Sequence, residues 1–219
     1  MKPYFENELV TLYLGDCLEV TEWLEADVLV TDPPYGQNYK SNMDRGTRQD
    51  WHDLISGDDT TQSRDKALNL WSTDKAAIVF GTWKTPKPQK TKQVVIWDKT
   101  PCGFMGDLAL PFGNAHEEIY LLGKINWTGQ REASIIKAQM LMSADRSRPD
   151  HPTPKPIGLM EKLVNKTTGV VADPFAGSGS TLLAARNLGR KAIGVELEEK
   201  YCELIANRLS QEAFDLGGI

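Results

Sequence analysis

The stretch VVADPFAGSGSTLLAARNLGRKAIGVELEEKY, residues 170–201, limits the fold more than any other part of the chain. An apolar run ends in Asp173, and a loop with Gly177 and Gly179 follows. A segment of helical period closes before Gly189, and a second apolar run over 191–195 ends in Glu196. Two strands joined through a helix pair in parallel, because a parallel connection needs a crossover of a dozen residues or more. The glycines let the backbone turn tightly and come close to a ligand. Ser178, Ser180 and Thr181 stand where the helix begins, at free backbone N–H groups. Glu196, about twenty residues beyond the loop, is placed to accept both hydroxyls of a ribose. The spacing is G-S-G-S-T rather than the dinucleotide G-x-G-x-x-G. An acid just ahead of the loop would also repel a pyrophosphate, so Asp173 is better matched to a nucleoside cofactor carrying positive charge.

The rest of the chain alternates in the same way. Strands are expected over 9–14, 27–31, 76–80, 93–97, 117–122 (ended by Gly123), 170–172 and 191–195. A short helix or turn is expected over 16–24, and a helix over 62–72 with Ala67, Leu68 and Trp71 on one face. Pro156 suits the first turn of a helix carrying Ile157, Met160, Leu163 and Val164 on one side. Tyr201, Leu204, Ile205 and Leu209 mark a last helix. Residues 36–60 read as a mobile polar loop, and 125–150 show little periodicity. Such alternation predicts an α/β fold, a mainly parallel sheet covered by helices on both faces. At 219 residues the chain suits one domain spanning 1–219.

Composition excludes several classes. No apolar run approaches the roughly 18 residues of a membrane span, and MKPYFENELV carries no apolar core of a signal peptide, so a cytoplasmic location is expected. Three cysteines (Cys17, Cys102, Cys202) point to a reducing compartment rather than a disulfide framework. The three histidines (His52, His116, His151) are scattered and no Cys/His pair has metal-ligand spacing, so no metal is expected. The net charge of −5 argues against a protein that coats nucleic acid but not against a local basic face.

The strand over 27–31 runs into Asp32, Pro33, Pro34 and Tyr35. Alone, this tetrapeptide reads equally well as a rigid turn with a packed tyrosine. Its setting decides between the two. DPPY early, DPFAGSGST late, and LYLGDCLEV, VVIWDKT, AHEEIYLLGK and HPTPKPIGLMEKLV in their order resemble the amino-methyltransferases that use S-adenosylmethionine (AdoMet) to methylate an exocyclic amine of a DNA base, in the permuted β-type arrangement. The resemblance covers most of the chain except 36–60 and 125–150.

It implies a Rossmann-like AdoMet-dependent methyltransferase fold, with a mostly parallel seven-stranded sheet. It implies a site-specific DNA-methyltransferase in a prokaryotic or phage-type restriction-modification context, acting on double-stranded DNA, with room for a homodimer. Asp32 and the carbonyl of Pro33 would accept the two N–H groups of the amine, Pro34 would stiffen the turn, and Tyr35 would stack on the base. Cofactor contacts carry over to Asp16, Cys17, Asp32, His151, Thr153, Lys155, Asp173, Pro174, Phe175, Ala176, Gly177, Ser178, Gly179, Thr181, Glu196 and Leu197. Asp in the first motif position leans toward adenine N6, since many cytosine-N4 members have Ser there. Cytosine N4, an RNA or protein glutamine amine, and an inactive AdoMet-binding subunit are the alternatives.

The chain departs from the family pattern at Pro154, where Gln is frequent, and at Ser180, where Thr is common. The segment 125–150, where the family carries its target-recognition region, is also short at about 26 residues. Pro101-Cys102 in TPCGF resembles a cysteine-nucleophile motif, but that chemistry needs an activated thiolate, and DPPY sits in the better supported context. Candidate DNA contacts are Lys84 and Lys87 in TWKTPKPQKTK, Arg45 and Arg48 after DPPY, and Arg146 and Arg148 ahead of His151. His116 and Glu117 read as either pocket residues or strand-end polar groups.

Overall fold

The computed structural model describes residues 1–37, 60–101, 109–141, 145 and 148–215. Among the described residues nine strands lie in one sheet: β1 (Phe5–Glu6), β2 (Val10–Leu14), β3 (Val28–Thr31), β4 (Ala77–Gly81), β5 (Gln93–Asp98), β6 (His116–Leu122), β7 (Ile135–Lys137), β8 (Val171–Asp173) and β9 (Ala192–Glu196). The helices are α1 (Gln62–Leu70), α2 (Ile157–Val164), α3 (Ser180–Asn187) and α4 (Glu199–Asp215). The sheet order is β1-β2-β9-β8-β3-β4-β6-β5-β7.

The five central strands from β2 to β4 are all parallel. The outer pairs β1–β2, β4–β6 and β5–β6 are antiparallel, and β7 returns parallel to β5. The expected seven-stranded, mostly parallel sheet is thus corrected to a nine-stranded mixed one. Both additional strands, β1 and β7, are short edge strands of 2 and 3 residues, too brief to leave a periodic pattern. The helix or turn expected over 16–24 is a turn at 17–19 followed by a 3-10 turn at Glu22–Glu25. Pro156 precedes the first helical residue of α2 as its N-cap, with ψ 130°.

Period-two alternation divides each central strand between two cores. Val28, Val30, Ile78 and Phe80 pack with Leu159, Leu163, Leu182, Leu183 and Ile205 from α2, α3 and α4. Leu29, Ala77 and Val79 pack on the opposite face with Trp23, Ala67 and Trp71. There the two indoles stack at 5.8 Å, and Trp23 Nε1 donates to the Cys17 carbonyl at 2.9 Å. Every residue of β3 and β4 is buried, as expected for parallel strands covered on both faces.

The crossover from β3 leads through α1 to β4 on one side, and that from β8 leads through α3 to β9 on the other. The winding of the chain therefore reverses between the parallel strands β3 and β8, which pair at Val28↔Val171 and Leu29↔Ala172. Ligands of open α/β sheets bind beyond the carboxyl ends of the strands at such a point. Among the described residues no helix is long and apolar enough to cross a membrane.

Candidate active site

A cavity of about 520 Å³ opens at this switch point, within the usual range for small-molecule sites. It is lined by Asp16, Cys17, Asp32, Pro33, Pro34, Tyr35, His151, Thr153, Lys155, Asp173, Pro174, Phe175, Ala176, Gly177, Ser178, Thr181, Glu196 and Leu197. The expected site residues in this lining come from five separated segments. Gly179 lies behind this wall, as the N-cap of α3.

In the half of the cavity toward β9, the glycine loop is folded around two buried acids. Asp173 Oδ1 accepts from the Thr31 hydroxyl at 2.7 Å and from the Phe175 N–H at 3.2 Å. Burial outweighs these bonds and that from Thr181, and lifts its carboxyl to about 6. Glu196 Oε2 accepts from the Gly177 N–H at 2.7 Å and Oε1 from the Glu198 N–H at 2.9 Å; burial lifts it to about 7. Each Glu196 oxygen keeps a second lone pair for a ligand, whereas Asp173 Oδ1 already accepts two bonds.

Gly177 and Gly179 have φ +52° and +78°, left-handed values natural to glycine. A Cβ on Gly177 would lie 3.1 Å from His151 Nε2, and one on Gly179 would lie 2.8 Å from Ile205 Cγ1. His151 packs edge-on against Tyr201 at 4.7 Å, and its Nδ1 accepts from the Thr153 N–H at 3.3 Å. Burial and the nearby Lys155 hold its imidazole down at about 3, hence neutral. The Cys17 thiol is buried and pushed up to about 12, which makes it an inert wall residue. Asp16 Oδ1 accepts from the Leu18 N–H at 2.9 Å and so shapes the turn at the cavity edge. Among the described residues no group of acids, histidines and cysteines is arranged to hold a metal ion.

The half toward β4 and β6 holds a buried charge cluster. Asp32 Oδ1 accepts from the Tyr35 hydroxyl at 2.6 Å, and Oδ2 is paired with the Lys155 ammonium. Glu117 Oε2 lies 3.2 Å from the Tyr35 hydroxyl and 3.4 Å from Lys155 Nζ, while Oε1 is paired with Lys99. Burial pushes Asp32 above the ordinary carboxylate range against the pull of Lys155. Glu117 is held below it by its two lysines, which overcome its burial.

Glu117, ambiguous in sequence, is therefore a cavity residue. Lys99 was not anticipated; its only mark in sequence is a charge directly after a strand. Lys155 was expected among cofactor contacts, yet its ammonium turns to Asp32 and Glu117. Its backbone carbonyl, by contrast, accepts from the Ser180 hydroxyl at 2.8 Å and so ties this segment to α3.

The candidate DNA contacts scatter. Lys84 lines the cavity beside the exposed Trp83, with its ammonium 5.9 Å from the ring centre. Lys87 is exposed and does not line the cavity. Arg148 donates to the Pro152 carbonyl at 2.7 Å. Arg45, Arg48, Arg146 and Cys102 lie outside the described residues, as does 38–59 of the expected mobile loop.

Comparison with known proteins follows the same lines. Residues 26–208 match the N6/N4 methyltransferase family model, described as DNA methylase. The chain is similar to the Type II methyltransferase M.ScaI of Streptomyces caespitosus, 26% identical over 270 residues covering 98% of this chain and 86% of that protein. It is also similar to the putative methylase YubD of Escherichia coli (strain K12), 28% identical over 215 residues covering 90% of this chain and 88% of that protein. Among solved structures, PvuII DNA methyltransferase, titled cytosine-N4-specific, aligns with TM-score 0.64 at 18% identity, covering 94% of this chain and 88% of that one. The M1.HpyAVI–SAM complex aligns with TM-score 0.61 at 21% identity, covering 91% and 100%. With the family model spanning most of its length, the chain belongs to the DNA methylase family of N6/N4 methyltransferases.

Proposed function

We propose that this chain methylates the 6-amino group of adenine in double-stranded DNA, with AdoMet as its cofactor. The observation that carries the reading is the meeting of Asp32 and Asp173 at the ends of the adjacent strands β3 and β8, on one cavity. AdoMet supplies an electrophilic methyl group on a positively charged sulfur. The cavity's residues fit it: two buried acids, a glycine loop where a Cβ on Gly177 would come within 3.1 Å of His151 Nε2, and about 520 Å³ of space. Asp173 would hold its ammonium group, Glu196 its ribose hydroxyls, and Gly177, Ser178 and Phe175 its flank.

An adenine amine is a weak nucleophile, because its lone pair is delocalised into the ring. Asp32 and the Pro33 carbonyl would accept its two N–H bonds and favour a pyramidal nitrogen with its lone pair turned toward the cofactor. Pro33 and Pro34 bring no competing N–H donors and fix the turn. Lys155 lies over the Tyr35 ring at 5.7 Å, so the opposite ring face is the one for a base flipped out of the duplex. In-line positioning of this kind is worth roughly 7–11 kcal/mol at its best.

Nucleoside mass spectrometry of DNA incubated with the protein and AdoMet tests the reading. N6-methyladenine is expected; N4-methylcytosine alone would replace adenine with cytosine, and no transfer despite AdoMet binding would make the chain a binding subunit. Asp32→Ala should abolish transfer while keeping AdoMet affinity within roughly tenfold, about 1.4 kcal/mol.

A further inference from the structure

We propose that Lys155 is a positioning residue for the amine-accepting carboxylate: it keeps Asp32 ionised and turned into the cavity, with Glu117 as its second anchor. The proposal rests on the amino-methyltransferase reading above. It moves Lys155 out of the cofactor's half of the site.

The geometry is specific. The Lys155 side chain is 6% exposed, more deeply buried than either acid it meets. Its ammonium pairs with Asp32 Oδ2, reaches Glu117 Oε2 at 3.4 Å, and lies over the rings of Phe80 and Tyr35 at 5.1 and 5.7 Å. A buried ammonium persists only when paired, and the first turn of α3 fixes its origin through the bond from Ser180 to the Lys155 carbonyl.

Asp32 is faced from every side by charged or titratable groups. Tyr35 comes from its own loop, Lys155 from the segment before α2, Glu117 from β6 with Lys99, just after β5, behind it, and Asp173 from β8. Asp32 and Glu117 with Lys155 and Lys99 make a paired set of zero net charge, and Asp173 faces it from outside the pairing. Without Lys155 it carries an excess negative charge in a buried place.

An ionised Asp32 offers acceptors on both oxygens, whereas a protonated one turns one of them into a donor. Tyr35 on Oδ1 and Lys155 on Oδ2 take one lone pair from each oxygen. The carboxylate is thereby held in one rotamer with the remaining lone pairs free. Burial and Glu117 both press Asp32 toward protonation, and Lys155 is the group that opposes them most.

The test compares wild type, Lys155→Met, Lys155→Gln and Lys155→Arg. Three quantities are measured: the Asp32 carboxyl titration by carbon-13 NMR, assigned with Asp32→Asn; kcat against pH; and AdoMet affinity by calorimetry. In the Met and Gln variants the Asp32 midpoint should rise by at least about one pH unit. The acid limb of kcat should move up with it, kcat at pH 7 should fall at least about thirtyfold, and AdoMet affinity should stay within about threefold. Arg should restore most of the midpoint. An Asp32 midpoint unmoved in whichever neutral variant folds overturns the proposal. So does a loss of AdoMet affinity beyond tenfold with the acid limb in place, which would make Lys155 a cofactor ligand. If wild type transfers no methyl to DNA, the functional reading fails, and the Asp32 titration still decides the role of Lys155.

Discussion

The hydroxyl of Thr31 donates to Asp173 Oδ1 over 2.7 Å, joining two strand ends 142 residues apart in the chain. Thr31 is the last residue of β3 and the neighbour of Asp32, and Asp173 is the last of β8, so one hydrogen bond ties the two halves of the cavity. Thr31→Val keeps the shape and removes the donor. A bond to a charged group contributes about 1.5–3 kcal/mol, and its loss leaves Asp173 easier to protonate. We expect AdoMet affinity at pH 7 to fall about five- to tenfold and urea stability by about 1.5–3 kcal/mol. Calorimetry showing an unchanged affinity would mean that Asp173 does not meet the cofactor.

The same acids set a pH dependence. Asp173 titrates near 6 and Glu196 near 7 in the free protein because burial disfavours their charge. In the proposed function Asp173 meets the cofactor's ammonium and Glu196 its ribose hydroxyls in their ionised forms, so binding would release protons and should tighten as pH rises. Affinity should increase on the order of a hundredfold from pH 5.5 to 7.5 and then level off. His151, at about 3, stays neutral throughout this window. Glu196→Gln should remove the larger part of the slope. A flat profile by calorimetry in two buffers of different ionisation enthalpy would contradict the assignment.

What the sequence made legible, and what it did not, follows from the range of the forces involved. β3, β4, β8 and β9 were readable because strands covered on both faces are continuous apolar runs, and Asp32, Asp173 and Glu196 stood out as charges directly after or at the end of such runs. The edge strands β1 and β7 were not readable, because pairing with a neighbour, not local pattern, makes them strands. The segment 16–24, open between helix and turn in sequence, is made of turns, held by the Trp23 bond to the Cys17 carbonyl and the stack on Trp71. Glu117 was ambiguous because its side chain reaches Tyr35 only through the antiparallel registers Gly81↔Glu118 and Trp97↔Glu117. Lys155 could be placed near the site from its motif, but the direction of a flexible four-carbon stem depends on where two acids of other strands happen to meet.

The two loop glycines separate folding from binding. Gly179→Ala puts a Cβ 2.8 Å from Ile205 Cγ1 at φ +78°, behind the cavity wall. The left-handed conformation costs about 1–2 kcal/mol, and overpacking against α4 adds about 1–3 kcal/mol. Gly177→Ala faces the cavity at φ +52°, 3.1 Å from His151 Nε2. We expect the first variant to lose more thermal stability and the second more AdoMet affinity per unit of stability lost. Denaturation and calorimetry on both variants check this order, and the reverse order would place the cofactor away from Gly177.

Lys84 and Lys87 belong to one basic stretch but not to one surface. Lys84 lines the cavity mouth next to Trp83, and Lys87 does not line the cavity. A lysine that neutralises a phosphate releases a counterion, so log affinity falls with log salt by about 0.9 per contact. If DNA enters over this mouth, Lys84→Ala should flatten the salt slope by roughly 0.9 and weaken all sequences alike. Lys87→Ala should change the slope less, and neither variant should alter AdoMet affinity. Arg148→Ala is a different experiment, since that guanidinium braces the Pro152 carbonyl in the loop between His151 and Lys155. Its loss should reach AdoMet binding before it reaches the salt slope. Fluorescence anisotropy on a labelled duplex at four salt concentrations, with each variant, distinguishes these outcomes. Equal slopes for wild type and Lys84→Ala would move the DNA track off this side of the cavity.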